Sequence, residues 1–159
     1  MATAATRQAL PTATGFAIKC AIAALRRHGA DPGPLLRKAG LAESDMDASR
    51  RRLTAAAQAE FLEYAALALN DPLFGLRLAE QSNPREVGLL FYATSAAENV
   101  AEALSLLAHY CRIVNESVRL KLVQRPDELT VEPGFVGVSR HKMRQNAEFQ
   151  FAVVVKSFR

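Results

Sequence analysis

The chain has 159 residues, the size of one ordinary domain, and half of them are hydrophobic, so it can bury a sizeable core. Twenty basic and 16 acidic residues give a net charge of +4, and the excess lies in residues 1–53. Those basic residues are spread over several predicted elements without interleaved aromatic side chains. This distribution favours a solvated surface over direct DNA binding by the first third of the chain.

The apolar pattern argues against a membrane protein. The best candidate for a membrane segment, residues 15–25, is much shorter than the roughly 20 residues required and contains Lys19. No clear signal-peptide cleavage site follows it, so we expect a cytoplasmic protein. Cys20 and Cys111 fall on apolar faces of predicted helices, and no cysteine or histidine cluster has metal-ligand spacing. We therefore expect two buried free thiols, no disulfide and no metal site.

The first half of the chain predicts helices separated by polar breaks. Residues 1–14 lack a usable period and predict a disordered lead-in, so the folded domain is expected to span 15–159. A helix is predicted over residues 16–28, ended by Gly29, and a short one follows Asp31 and Pro32. The polar segment 41–52 is expected to form a hinge.

Two more helices are predicted before the centre of the chain. Thr54 is a suitable cap for a helix over residues 55–69, and Asp71 with Pro72 starts another that ends near Gln81. Residues 88–96 are apolar or small. Their low content of β-branched side chains favours a buried helix over a strand.

The second half of the chain changes from helical to strand periodicity. Asn99 and Glu102 have capping-box spacing and begin a long amphipathic helix. Alternation over residues 118–123 and a second run at 129–132 predict a β-hairpin, which Pro133 and Gly134 are expected to break.

The last element is predicted to be a helix over residues 142–158, apolar nearly all round and therefore buried. The sequence stops at Arg159 inside this pattern, and a two-stranded hairpin is marginal alone. We therefore expect a truncated domain. The predicted fold class is α+β: a helical bundle followed by a β-hairpin or small antiparallel sheet and a buried closing helix.

The sequence contains no specific catalytic constellation, so we do not expect an enzyme. No nucleophile-elbow, phosphate-loop or dinucleotide-binding motif is present. His28, His109 and His141 are widely separated in sequence. A small hydrolase using Cys111 with His109 is an alternative, but residues two positions apart on a helix point in different directions.

Aromatic side chains near the centre of the chain suggest a ligand pocket. Phe91, Tyr92 and Tyr110 lie in or beside the central apolar segment, and Tyr64 lies on the preceding long helix. Tyrosine hydroxyls on apolar elements can orient a small ligand, so these four residues are the predicted ligand-binding positions. The alternative is that they are core residues whose hydroxyls reach the surface.

Four segments, in the right order and spacing, resemble one family of bacterial regulators. LLRKAGL at residues 35–41 resembles the family's LLRRAGL, and DPLFGLRLAE at 71–80 resembles its DPxxGLRLGE segment. GLLFYA at 88–93 resembles GLLGYAL, and the helix from Ala103 with Tyr110 resembles EALRLLARYHRL. These segments resemble the amino-terminal effector domain of AraC-type transcription regulators, the class often labelled arabinose-binding-like.

The resemblance implies a sensor without a cofactor. It implies a small-molecule effector, a homodimer, and DNA binding only through a carboxy-terminal helix-turn-helix domain absent from this sequence. Phe91 replaces the family's usual small residue, and Cys111 stands where a polar residue is common. These departures imply an effector other than the family's better-known ones. A protein-interaction module without a ligand remains the alternative.

Overall fold

Helices dominate the part of the chain that the computed structural model describes, residues 10–42, 44 and 52–158. Most of the predicted hinge at 41–52 and residues 1–9 of the predicted lead-in lie outside these residues. In chain order the elements are β1 (Thr12–Ala13), α1 (Phe16–Arg27), α2 (Gly33–Lys38), β2 (Leu53–Thr54), α3 (Ala55–Ala68), α4 (Phe74–Gln81), α5 (Leu89–Ser95), α6 (Val100–Val114), β3 (Val118–Arg125), β4 (Glu128–Phe135) and α7 (Arg144–Ser157).

The hydrophobic core lies among α1 to α4 and α7. Thr54 caps α3 as predicted, because its hydroxyl oxygen accepts a hydrogen bond from the Ala57 amide at 3.2 Å. Apolar side chains at helical spacing then face inward. The largest fully buried apolar side chains of this core are Ile18, Leu25, Leu36, Phe61, Leu62 and Leu78.

The closing helix α7 packs alongside α4 and is held at both ends. At its start, the Gln145 side-chain oxygen accepts a hydrogen bond from the Gly75 amide at 2.7 Å. Near its end, the Lys156 ammonium group donates to carbonyl oxygens at the end of α4. The sequence predicts a helix buried nearly all round, whereas α7 buries one side against α3 and α4 and leaves Val155 54% exposed.

α5 and α6 pack together as a second helical layer. The segment predicted as a buried helix is helical in α5, which confirms the helical state. The predicted burial is wrong, because Leu89 and Tyr92 of α5 are exposed and only Leu90 and Thr94 are buried. Asn99 caps α6 as predicted, because its side-chain oxygen accepts a hydrogen bond from the Glu102 amide at 2.9 Å. The Glu102 carboxylate in turn accepts from the Glu98 amide at 2.7 Å, which fixes the entry into α6.

The β-hairpin is longer than predicted. β3 and β4 pair antiparallel in a register that places Val118 opposite Phe135 and Arg125 opposite Glu128. The predicted break at Pro133 and Gly134 is wrong, because β4 continues through both residues. Each strand of a two-stranded sheet has an open edge, where a proline without an amide hydrogen is tolerated.

The first described residues belong to the fold, which corrects the predicted end of the lead-in at residue 14. β1 pairs antiparallel with β2, and Ala13 also forms an antiparallel bridge with Asn115. The amide and hydroxyl of Thr12 both donate to the Glu116 carboxylate at 2.8 Å. β1 therefore joins the start of α3 to the end of α6. The whole arrangement confirms the predicted α+β class.

Candidate effector cavity

A cavity of about 110 Å³ lies where α1, α5, α6, β3 and α7 meet. Most of its lining residues are aliphatic or aromatic, and none is charged. The lining comprises Thr14, Phe16, Ala17, Gln58, Val87, Leu90, Phe91, Thr94, Leu107, Cys111, Val114, Asn115, Val118, Leu120, Phe149, Gln150, Phe151, Val153, Val154, Ser157 and Phe158. A cavity of about 150 Å³ with a similarly apolar lining can bind benzene. This space is therefore suited to a small apolar molecule or to the apolar part of a larger one.

Residues four apart lie on the same face of a helix, and such pairs on α5 and α6 face this cavity. Leu90 and Thr94 are four apart on α5 and are both buried, and Leu107 and Cys111 are four apart on α6 and are also buried. The residue after β1 and the loop after α6 also contribute to the lining. The cavity thus depends on the docking of α7, on the hairpin and on the first strand together.

Asn115 is the exceptional polar residue of the lining. Its side chain is buried, with an exposure of 3% for the residue, and its side-chain oxygen accepts from the Ser117 amide at 3.0 Å and the Ser117 hydroxyl at 2.7 Å. A backbone amide can only donate, so the atom facing it must be the oxygen. The other atom, Nδ2, is therefore an N–H donor, and among the described residues it has no hydrogen-bond acceptor. A buried donor without an acceptor is costly, so a molecule that supplied an acceptor to it would gain binding free energy.

Three other polar side chains of the lining already donate to protein acceptors. The Thr94 hydroxyl donates to the Leu90 carbonyl at 3.0 Å, and the Ser157 hydroxyl donates to the Val153 carbonyl at 2.8 Å. The Gln58 amide nitrogen donates to the side-chain oxygen of Asn146 at 3.0 Å. Thr14 is exposed and Gln150 is half-buried, so Asn115 is the lining residue with a buried donor that lacks an acceptor among the described residues.

The structure brings only one of the four predicted ligand-binding residues to this cavity. Phe91 lines it. Tyr92 is 58% exposed and packs edge-on against Phe91, and Tyr110 is 41% exposed on the outer side of α6. Tyr64 lies under the ammonium group of Lys38, which is 4.1 Å from its ring centre. The expectation that the three tyrosines line a shared pocket with Phe91 therefore does not match this geometry.

Sequence reasoning missed the residues that define the cavity most strongly. Asn115 follows the last turn of α6, where an asparagine is most simply interpreted as a helix end. Leu107 and Phe149 have the pattern of ordinary core residues. The only sequence signal that could have singled out Asn115 is its place between a helix and a strand, and that signal is weak.

The cysteine and histidine of the hydrolase alternative do not form a catalytic pair. The Cys111 thiol donates to the carbonyl oxygens of Ala108 at 3.7 Å and Val118 at 3.9 Å, and burial raises its pKa. A nucleophilic cysteine needs a lowered pKa. The His109 ring instead packs edge-on against Tyr110. Both cysteines are free thiols; Cys111 is buried as expected, whereas Cys20 is only half-buried. The described residues contain no cluster of potential metal ligands.

A small, mostly apolar cavity with a few polar groups is the usual form of a small-molecule site. The sequence profile of the N-terminal arabinose-binding domain of AraC transcription regulators matches residues 29–159. The match covers most of the chain, so the chain belongs to this family, whose role is regulatory rather than catalytic. A search among curated proteins returned no significant match. Within the described residues, no helix is long and apolar enough to cross a membrane.

Proposed function

We propose that this chain is the N-terminal sensory and dimerisation domain of a cytoplasmic AraC-type regulator, and that it binds a small effector in the cavity beside Asn115. Bound effector modulates DNA binding by a carboxy-terminal helix-turn-helix domain of the full-length regulator. The role is binding and needs no cofactor. The observation that carries the proposal is a small, mostly apolar cavity with one buried amide donor that lacks an acceptor within the described part of the chain.

The position of the cavity supports a mechanism of linkage. Its walls come from α6, from the hairpin and from α7. α6 packs against β3, whereas α7 packs mainly against α3 and α4, so the cavity lies between two separately packed groups of elements. A ligand that contacts all three favours the arrangement in which they are closest. An effector shifts an equilibrium only by its difference in affinity for the two states. We therefore expect effector and DNA affinity to be coupled through the docking of α7 and the hairpin.

Two matched substitutions test whether the cavity is the effector site. Cys111→Leu adds carbon atoms inside the cavity, whereas Cys20→Leu makes the same change on α1 at a residue that does not line it. Purified full-length regulator is first screened with metabolites for a change in binding to its own promoter DNA. For an active compound, C111L is expected to lose the response and C20L to keep it.

The controls make this experiment decisive. Thermal unfolding and circular dichroism of both variants confirm that each is folded. A compound that acts equally on C111L and wild-type regulator shows that the effector binds elsewhere. The dimer is tested separately by light scattering coupled to size exclusion, where a strictly monomeric full-length regulator contradicts that part of the proposal.

A further inference from the structure

We infer that the ligand of this cavity is a small, uncharged and largely apolar molecule that presents one hydrogen-bond acceptor, such as a carbonyl oxygen, to the side-chain amide of Asn115. This inference rests on the proposed function and specifies its ligand class. The inferred ligand differs in chemistry from arabinose, the pentose in the name of the family.

The uncharged lining disfavours burial of an ionic group. None of the residues that line the cavity carries a charged side chain. A carboxylate or an ammonium group buried there would lose its hydration without gaining a partner of opposite charge. Amino acids and fatty-acid carboxylates therefore fit this cavity poorly unless their charged group remains in water.

The distribution of hydrogen bonds argues against a sugar. A pentose presents several hydroxyl groups, and each needs a partner when buried. Thr94, Ser157 and Gln58 already donate to protein acceptors. Aliphatic and aromatic side chains form most of the remaining wall. The remaining polar side chains, Thr14 and Gln150, are exposed and half-buried respectively, so pentose hydroxyls against the aliphatic and aromatic wall would be unpaired.

The orientation of Asn115 specifies an acceptor rather than a donor. Both hydrogen bonds to its oxygen come from Ser117, at 3.0 and 2.7 Å, and they fix the amide so that Nδ2 is the end without a partner among the described residues. That nitrogen can only donate. A ketone, ester or amide oxygen satisfies it, whereas a ligand group that can only donate does not.

The volume of the cavity determines which small molecules can serve as probes. A volume of about 110 Å³ suits a molecule of benzene size or slightly larger. Cyclohexanone and methylenecyclohexane have nearly the same shape and differ only in an oxygen replaced by a CH₂ group. Their dissociation constants are measured by NMR titration of the 159-residue chain, following the Leu107 methyl groups and the Asn115 side-chain amide. L-Arabinose and benzoate serve as competitors.

Comparison of Asn115→Asp with wild type isolates the hydrogen bond. The substitution keeps the oxygen that accepts from Ser117 and replaces the amide donor by an acceptor. The ratio of the hydrocarbon to the ketone dissociation constant is expected to be about tenfold higher in wild type than in N115D, the effect of one well-formed hydrogen bond. Taking the ratio cancels the different hydration of the two probes.

Asn146→Asp is the matched control. The Asn146 Nδ2 is also buried without an acceptor among the described residues, but Asn146 does not line the cavity. The ratio in N146D is expected to equal that of wild type. If N115D does not fold, the wild-type spectra decide: cyclohexanone must shift the Asn115 amide resonances, and methylenecyclohexane must shift only the Leu107 methyls.

The outcomes separate the ligand class from the proposed function. Equal ratios in wild type and N115D, or Asn115 resonances that stay fixed while the Leu107 methyls shift, overturn the inference. Displacement of cyclohexanone by arabinose or benzoate also overturns it but leaves an effector cavity in place. If no probe binds, the inference fails, and the promoter-DNA response of C111L and C20L decides the proposed function.

Discussion

Gly75 and Gln145 are in direct backbone contact at the crossing of α4 and α7. The Gly75 amide donates to the Gln145 side-chain oxygen at 2.7 Å. A Cβ atom at position 75 would overlap the Gln145 carbonyl oxygen and lie 3.0 Å from its carbon. Only glycine permits this approach, which sets α7 in place, and α7 contributes Phe149 and Val153 to the cavity wall.

Gly75→Ala is expected to lower the free energy of unfolding by about 2–3 kcal/mol, because the added methyl group pushes two backbones apart. Chemical denaturation measures the change. Gly134→Ala is the control, since the nearest atom to a Cβ there is the Arg119 Cβ at an ordinary 3.6 Å. Similar losses in both variants would show that the Gly75 contact is not special.

Lys156 holds the end of α7 against the end of α4. Its ammonium group donates to the carbonyl oxygens of Glu80 at 2.6 Å and Ser82 at 2.7 Å, which have no partners within the α4 helix ladder. Lys156→Met keeps the aliphatic stem and is expected to cost about 1–2 kcal/mol of unfolding free energy. Lys121→Met removes an exposed ion pair with Glu132 and is expected to cost less than about 0.5 kcal/mol. Equal costs would contradict the capping role.

Glu116 makes stability depend on pH. Hydrogen bonds from the Thr12 amide and hydroxyl, with the nearby Arg52 charge, lower the pKa of its carboxyl group. A group whose folded pKa is depressed contributes stability above its unfolded pKa, and that contribution is lost as pH falls through the folded pKa. Glu116→Gln is therefore expected to be less stable than wild type at pH 7.

The urea midpoints of wild type and E116Q, measured between pH 7 and pH 2.5, check this prediction. The gap between them should shrink as pH falls below about 4, near the ordinary carboxyl pKa. Thr12→Val keeps the backbone donor and removes the hydroxyl. The difference between its urea midpoint and that of wild type should therefore also become smaller on acidification. A gap that is constant over the whole range would mean that Glu116 does not titrate with a lowered pKa.

The two thiols are expected to react slowly in the folded protein. Burial, aided by the Glu86 charge, raises the pKa of Cys20 to about 11, and burial raises the pKa of Cys111. Since the thiolate is the reactive form, the rate for Cys20 with a disulfide reagent should rise about tenfold per pH unit between pH 7 and 10. Both rates are measured in the wild-type chain by mass spectrometry of the peptides that carry each cysteine.

A ligand in the cavity should slow the reaction of Cys111 with the disulfide reagent but not that of Cys20, because Cys111 lines the cavity and Cys20 does not. The rate at Cys20 with and without ligand is the internal control. Protection of both thiols to the same extent would indicate general stabilisation of the fold rather than binding in the cavity.

The sequence predicted the structure best where a single side chain determines the local backbone conformation. Thr54 and Asn99 were identifiable as caps because a side-chain oxygen precedes an amphipathic run, and both accept the expected amide hydrogen bond. The helical state of α5 followed from its small residues. The pairing of β3 and β4 followed from alternation, although the open edge that tolerates Pro133 could not be foreseen.

The cavity could not be predicted because it depends on contacts between distant residues. Asn115 is positioned by a bridge to Ala13, which lies in the segment interpreted as a lead-in. α5 has seven residues, too few for periodicity to show that Leu90 is buried and Tyr92 exposed. Gln145 on α7 is buried, and its side chain accepts a hydrogen bond from α4. Hydrophobicity alone would assign a glutamine to the surface.

The most direct test of the effector cavity is a crystal structure of the regulator with a compound that changes its promoter binding. We expect ligand density among Phe91, Leu107 and Phe149, with an acceptor atom within hydrogen-bond distance of the Asn115 side-chain nitrogen. Density on the outer side of α5 and α6, against Tyr92 and Tyr110, would contradict it and restore the tyrosines as the ligand-binding residues.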